Sequence, residues 1–316
     1  MSHELPVFLR RDWLDVGDGH ELHLVQYGNP DGIPLLYLHG GPGGGCVAED
    51  LKLFDKHSYR ILMLDQRGSG RSTPKGDLRH NNLQALLDDI EAVRVQLNID
   101  SWCVVGGSYG ATLGFIYSGL FPHRVMSQVL WGLFVPSDEA VTWLYGANGA
   151  ANLFPQEYLA FTSLQDFTPC LDTFFVGYRK GLDDPDIDTH NAYVYHWLSW
   201  ELALSLPSTK LPDIGLHFGK SLAQIELHFA SHQYFNSYQL MCVNANKITA
   251  KTVILQGEMD WVCPVMIGEK FLSQYATEQI HYSVIKGGYH GLANDRMFEE
   301  VVFAVREMAC NIKHVR

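Results

Sequence analysis

Three side chains in this chain of 316 residues have the types and the order that nucleophilic acyl transfer requires: Ser108, Asp260 and His290. Ser108 lies in VVGGSYGATLG (104–114), where Gly106, Gly107 and Gly110 surround a single hydroxyl. A serine on a sharp strand-to-helix turn adopts a strained backbone, and neighbouring Cβ atoms would collide with strand or helix, so glycines are needed. Such a turn lifts the hydroxyl clear of the sheet and sets it at a helix N-terminus, where the dipole favours developing negative charge. Glycine-rich turns often hold an ordinary serine. What sets this one apart is its place between the strand-like CVV (103–105) and the helical ATLGFIYSGLF (111–121).

A hydroxyl is a weak nucleophile until a base, itself oriented by an acid, takes its proton. Glu258, Met259 and Asp260 follow the strand-like TVILQG (252–257), and Tyr289 and His290 follow HYSVIKGG (281–288). With 15 histidines in the chain, residue type alone selects nothing. His290 stands out because it follows the last strand and a glycine pair, just before the last helix. Glu258 shares the acid loop, and a loop carboxylate is most often only solvated; chain order and the preceding strand favour Asp260. The segment HGGPGGG (39–45) follows LLYL and has the make-up of an oxyanion loop. It assigns the backbone N–H groups of Gly41 and Tyr109 to a developing oxyanion. A phosphate loop is a poor competitor: no GxGxxG occurs, and FGKS at 218–221 has Ile214 where the motif demands glycine.

These loops need a scaffold that gathers strand ends. LLYL (35–38), ILML (61–64), CVV and VLW (129–131) read as buried strands, with Leu83, Leu86, Leu87, Ile90 and Val93 at helical spacing between them. Alternation of this kind predicts an α/β fold: a mostly parallel sheet flanked by helices. From Pro136 to Asn246 the strand pattern vanishes, and aromatic-rich helical stretches such as YVYHWLSWELALSL (193–206) replace it. Strands then resume, and a last helix shows Phe298, Val301, Val302 and Val305 on one face. The expected organisation is a core over 1–136, an inserted all-helical cap over 137–246, and the remainder of the core over 247–316.

Composition narrows the class. Apolar residues make up 47 % and charged residues 18 %, a globular balance. A net charge of −12 argues against nucleic acid and anionic membranes as partners. No apolar run is long enough to cross a bilayer, and the N-terminal segment does not read as a signal peptide. The six cysteines (46, 103, 170, 242, 263, 310) lack metal-ligand spacing, so no metal or cofactor is expected and the compartment is expected to be the cytoplasm.

Taken together, HGGPGG (39–44), DQRGSGRS (65–72), GGSYG (106–110), WLSWE (197–201), IELHF (225–229) and DWVCP (260–264) resemble, in order, the proline iminopeptidases. These are α/β-hydrolases that release N-terminal proline from short peptides. The resemblance runs from about residue 10 to near the C-terminus, cap included. It implies the triad Ser108, Asp260 and His290. It also implies that Glu201 and Glu226 hold the substrate's free amino terminus, and that Phe134, Tyr145 and Cys263 line the pocket for the pyrrolidine ring. Carboxylates in that place discriminate a terminal ammonium from an internal amide. There are departures. Tyr109 stands where the family usually has Trp, QGEMD where it commonly has HGRYD, and KGGYHG where it tends to read AGH. Two other readings compete: an esterase or amidase indifferent to the amine, and a non-catalytic ligand-binding relative.

Overall fold

The computed structural model describes residues 5–166, 170–207 and 217–315. Its backbone follows the buried runs. β1 (Phe8–Asp15), β2 (Glu21–Gly28), β3 (Ile33–Leu38), β4 (Tyr59–Leu64), β5 (Trp102–Gly107), β6 (Val125–Trp131), β7 (Lys251–Gly257) and β8 (Ile280–Ile285) form one sheet, ordered β1-β2-β4-β3-β5-β6-β7-β8. From β4 to β8 all neighbours are parallel; β2 pairs antiparallel with both β1 and β4.

Strands covered on both faces need apolar residues at every position, which is why they appear as unbroken runs. In β3, Leu36 and Leu38 join Leu62, Leu64, Val104 and Leu130 on one face. Leu35 and Tyr37 join Ile61, Met63, Cys103 and Val105 on the other. The first face is covered by α1 (Leu83–Gln96), α2 (Tyr109–Leu120) and α9 (Val265–Tyr275). The second is covered by α10 (Asp295–Val315), through Met297, Val301 and Val305.

The antiparallel β1 and β2 have no counterpart among the strands read from sequence. β1 is an edge strand with a mostly exposed pattern, so it has no apolar run to betray it. β2 is buried but interrupted by polar residues, among them His23, whose Nδ1 bonds Asp65 Oδ2 at 2.9 Å. Asp65 also accepts from the Cys46 N–H at 2.7 Å and the Arg71 N–H at 3.0 Å, so DQRGSGRS ties β4 to the end of the 39–45 loop.

Between Trp131 and Lys251 the described residues contain no strand. They form α3 (Asp138–Tyr145), α4 (Pro155–Thr162), α5 (Leu171–Leu182), α6 (Ile187–Ser205), α7 (His217–Ser231) and α8 (Ser237–Asn244), with 3-10 turns between α3 and α4 and between α7 and α8. Their core is aromatic: Phe161 stacks on Trp200 at 5.5 Å and Trp197 lies 5.4 Å from Tyr145. Indole N–H groups buried there must find acceptors. That of Trp200 donates to the Leu144 carbonyl at 2.9 Å.

Candidate active site

The nucleophile candidate is held by steric necessity. β5 ends at Gly107, α2 begins at Tyr109, and Ser108 between them has φ 57° and ψ −126°. A Cβ at Gly107 would overlap the Trp131 ring, and one at Gly110 would overlap the Leu38 carbonyl. The Ser108 N–H donates to the Trp131 carbonyl at 3.0 Å, locking the turn onto β6. The 39–45 loop runs directly alongside, since a Cβ at Gly40 would lie 3.0 Å from Ser108 Cβ. Tyr109 opens α2, so its N–H belongs to the first turn, where donors have no intrahelical acceptor.

The orientation of the Gly40–Gly41 peptide is set by a residue whose role the motif alone did not reveal. His39 is buried, and its Nε2 accepts the Gln66 N–H at 3.0 Å. Its proton therefore sits on Nδ1, which donates to the Gly40 carbonyl at 2.9 Å. Burial keeps this imidazole neutral by lowering its pKa. Because a peptide's C=O and N–H point in opposite directions, pinning the Gly40 carbonyl also aims the Gly41 N–H.

Asp260 and His290 meet at the ends of β7 and β8. His290 Nδ1 donates to Asp260 Oδ2 at 2.7 Å, leaving Nε2 as the basic nitrogen. Oδ1 accepts the N–H groups of Val262 (3.1 Å) and Cys263 (2.7 Å), and Oδ2 also accepts Gln256 Nε2 at 2.7 Å. Burial disfavours protonated His290, but the charge and hydrogen bond of Asp260, with Glu201 adding to them, outweigh it and raise the pKa. Glu258 points elsewhere: it is exposed and accepts the Gly287 N–H at 2.9 Å, linking the acid loop to the histidine loop.

Gly132, absent from the sequence reading, makes room for this pair. Its φ is +51°, and a Cβ there would come within 2.8 Å of His290 Nδ1 and 3.3 Å of Asp260 Oδ2. It follows Trp131, which holds Ser108, so the three chemical groups converge around one strand end. Ser108 Oγ itself makes no hydrogen bond among the described residues; in uncomplexed sites such bonds are often long and tighten around a reacting carbonyl.

The helices between β6 and β7 carry the other residues. α6 carries Glu201 and α7 carries Glu226. Glu226 is buried and accepts the Trp197 N–H at 2.7 Å. α7 presses on the 39–45 loop so closely that a Cβ at Gly43 would lie 3.0 Å from Ile225 Cβ. Burial raises the Glu201 pKa to about 7; burial and then the Glu201 charge raise that of Glu226 well above the carboxylate range. Two carboxyls so placed do not sit as a repelling dianion at neutral pH, because burial and the neighbouring charge hold the proton on Glu226. Glu201 acts electrostatically on His290, Glu226, Tyr145 and Cys263, so one field spans the Asp–His pair and the helices α6 and α7. Phe134, Tyr145 and Cys263 are all buried. Phe134 and Tyr145 meet through Tyr234, which lies 4.9 Å from Phe134 ring to ring and 3.5 Å from Tyr145 hydroxyl to hydroxyl.

Ligand atoms of Asp260, Cys263 and His290 lie within 4.8 Å of one another, the one such cluster among the described residues. All four acceptor positions of the Asp260 carboxylate are occupied by protein donors, so a cation there would have to displace one of them.

Sheet, serine turn and Asp–His pair together define an α/β-hydrolase, and the family model described as "alpha/beta hydrolase fold" matches residues 33–293. The fold also resembles that of a haloalkane dehalogenase loop variant from Bradyrhizobium elkanii, with TM-score 0.70, 16 % identity and coverage of 97 % and 98 % of the two chains. A proline iminopeptidase of Arabidopsis thaliana is 36 % identical over 80 % of this chain and 68 % of its own length. One from Neisseria meningitidis serogroup A is 30 % identical over 94 % and 95 %. The chain belongs to the proline iminopeptidase family. No helix among the described residues is long and apolar enough to cross a membrane.

Proposed function

We propose that this enzyme removes proline from the amino terminus of short peptides through a covalent acyl-serine, with the segment 137–246 serving as the cap over the site. The observation that carries the reading is Glu201, half-buried on α6, whose charge acts on both the buried Glu226 carboxyl and the imidazole that Asp260 orients. A hydrolase indifferent to the amine has no need of two desolvated carboxyls acting on each other, one of which also acts on its base.

In this mechanism Glu201 and Glu226 lose their protons on engaging the secondary ammonium of the terminal proline, whose two N–H groups match two carboxylates. The pyrrolidine ring packs among Phe134, Tyr145 and Cys263. Ser108 Oγ attacks the prolyl carbonyl carbon while His290 Nε2 takes the hydroxyl proton. The N–H groups of Gly41 and Tyr109 receive the oxyanion. As the tetrahedral species collapses, the C–N bond breaks and His290 returns the proton to the departing amine. Water, deprotonated by His290, then splits the acyl-serine, freeing proline and restoring Ser108. The unbridged thiols of Cys46, Cys242 and Cys263 support a reducing compartment, the cytoplasm.

Proline arylamide and its N-acylated form test this directly. Hydrolysis of the first with loss of at least 100-fold in kcat/KM on the second is expected. Equal turnover of both would replace the aminopeptidase reading with that of a plain esterase or amidase.

A further inference from the structure

The acid of the Asp260–His290 pair is braced by a buried amide. Gln256, next to last in β7 and 1 % exposed, donates through Nε2 to Asp260 Oδ2 at 2.7 Å and to the Cys263 carbonyl at 2.6 Å. Both amide hydrogens are thereby committed. Only one orientation works, because the flipped amide would set Oε1 against a carboxylate and a carbonyl oxygen. In the orientation adopted, Oε1 is buried with no hydrogen-bond partner among the described residues. An orphaned carbonyl forfeits the hydrogen bonds it made to water, and an apolar side chain of similar shape would avoid that cost. A polar group kept in the core under those terms has a use outside packing.

That use follows from what Oδ2 touches. Oδ1 is held by two backbone N–H groups of its own loop, whereas Oδ2 meets two side chains, Gln256 and His290. We propose that Gln256 is a positioning residue for acyl transfer: by filling one lone pair of Asp260 Oδ2 it turns the other toward His290 Nδ1 and limits the carboxylate's pull on the imidazolium. A neutral histidine, found at the first position of the family's HGRYD segment, has a single N–H to give. The glutamine of QGEMD gives two and does not titrate, so acid and loop are held alike across the working pH range. The inference rests on Asp260 and His290 serving Ser108 and is independent of which substrate the cap admits.

Three groups face His290: Asp260 from the acid loop, the Cys263 thiol from the same loop, and Glu201 from α6. The test leaves all three in place and alters Gln256 in the full-length enzyme. Two rates are followed against pH: kcat/KM on proline arylamide, and phosphonylation of Ser108 by a fluorophosphonate, which needs no amine pocket. For Gln256→Met both are expected to fall about tenfold near neutrality. Their acidic limbs are expected to move up by about half a pH unit, as Asp260, relieved of one donor, holds the imidazolium more tightly. A folded Gln256→Met enzyme with unmoved limbs and both rates within about twofold of the parent overturns the proposal, since a purely structural glutamine would change only the Tm. If that variant fails to fold, Gln256→Glu decides. Its carboxyl can donate to Asp260 only while protonated, so phosphonylation should slow as pH rises, opposite to the parent; a parent-like rise overturns the proposal. Should the arylamide prove inert in parent and variants alike while phosphonylation responds as described, the substrate reading falls and the brace stands.

Discussion

In the proposed reading, Glu201 and Glu226 store affinity for a cation in unfavourable desolvation. With its pKa raised to about 7, Glu201 binds its proton more tightly folded than unfolded. The native state therefore loses stability as pH rises from about 4.5 through about 7. Glu201→Gln removes that loss and is expected to stabilise the enzyme at pH 8 by roughly 1–2 kcal/mol after allowance for partial exposure, seen as a raised Tm with a flatter pH profile. The same variant is expected to lose at least tenfold in kcat/KM on proline arylamide while sparing a simple ester. In the parent, KM for the arylamide should climb as pH falls below about 7, because the incoming ammonium must then displace protons. A KM that stays flat from pH 5 to 8 would show that Glu201 does not meet the amine. Gly132 is the second sensitive point: Gly132→Ala pushes a methyl toward His290 Nδ1 and imposes an alanine at φ +51°. Loss of about 100-fold in kcat with KM little changed is expected, read from steady-state kinetics.

Elements place these residues by close approach. Gly107 admits the Trp131 ring and Gly43 admits α7, so glycines set the distances between sheet, loop and cap. Gly107→Ala should destabilise by on the order of 3 kcal/mol, measured by denaturant unfolding. A second device lies between α7 and α8, where Gln233, Tyr234, Phe235 and Asn236 all have left-handed φ (51°, 49°, 51° and 63°). Four such residues in succession are strained, and strain of this sort persists where the surroundings over-determine it. Here Ser237 donates to the Tyr234 carbonyl, and the Tyr109 hydroxyl lies 3.1 Å from Ser237 Oγ. The tyrosine that replaces the family's usual tryptophan thus ties the nucleophile's helix to the turn that seats Tyr234 between Phe134 and Tyr145. Tyr234→Phe keeps the ring and loses the hydroxyl; a KM increase of several-fold at constant kcat is expected on proline arylamide. Of these elements, buried parallel strands and helix starts were legible from apolar runs and turn residues. The left-handed turn was not, because its sequence, QYFN, carries no glycine to announce it.

At the scale of the whole molecule, a net charge of −12 favours the approach of cationic peptides to the site proposed above. Salt screens that attraction, so kcat/KM for a proline arylamide should drop two- to threefold between low ionic strength and about 0.3 M, with the loss confined to KM. The sequence by itself determined the parallel sheet, the order Ser, Asp, His and the two loops of glycine, because each is dictated by local sterics or by burial on both faces of a strand. It also held the marks of its family, and through them the two glutamates. Chain order favoured Asp260 over Glu258, but only the tertiary structure shows which of the two bonds His290, since a hydrogen bond to an imidazole 30 residues away is a fact of distance. Tertiary structure alone likewise assigned the tautomer of His39, the space that Gly132 leaves beside His290 and the two hydrogen bonds donated by Gln256. Each depends on which groups from remote segments share a few ångströms of buried space, and no local pattern of residue types encodes that.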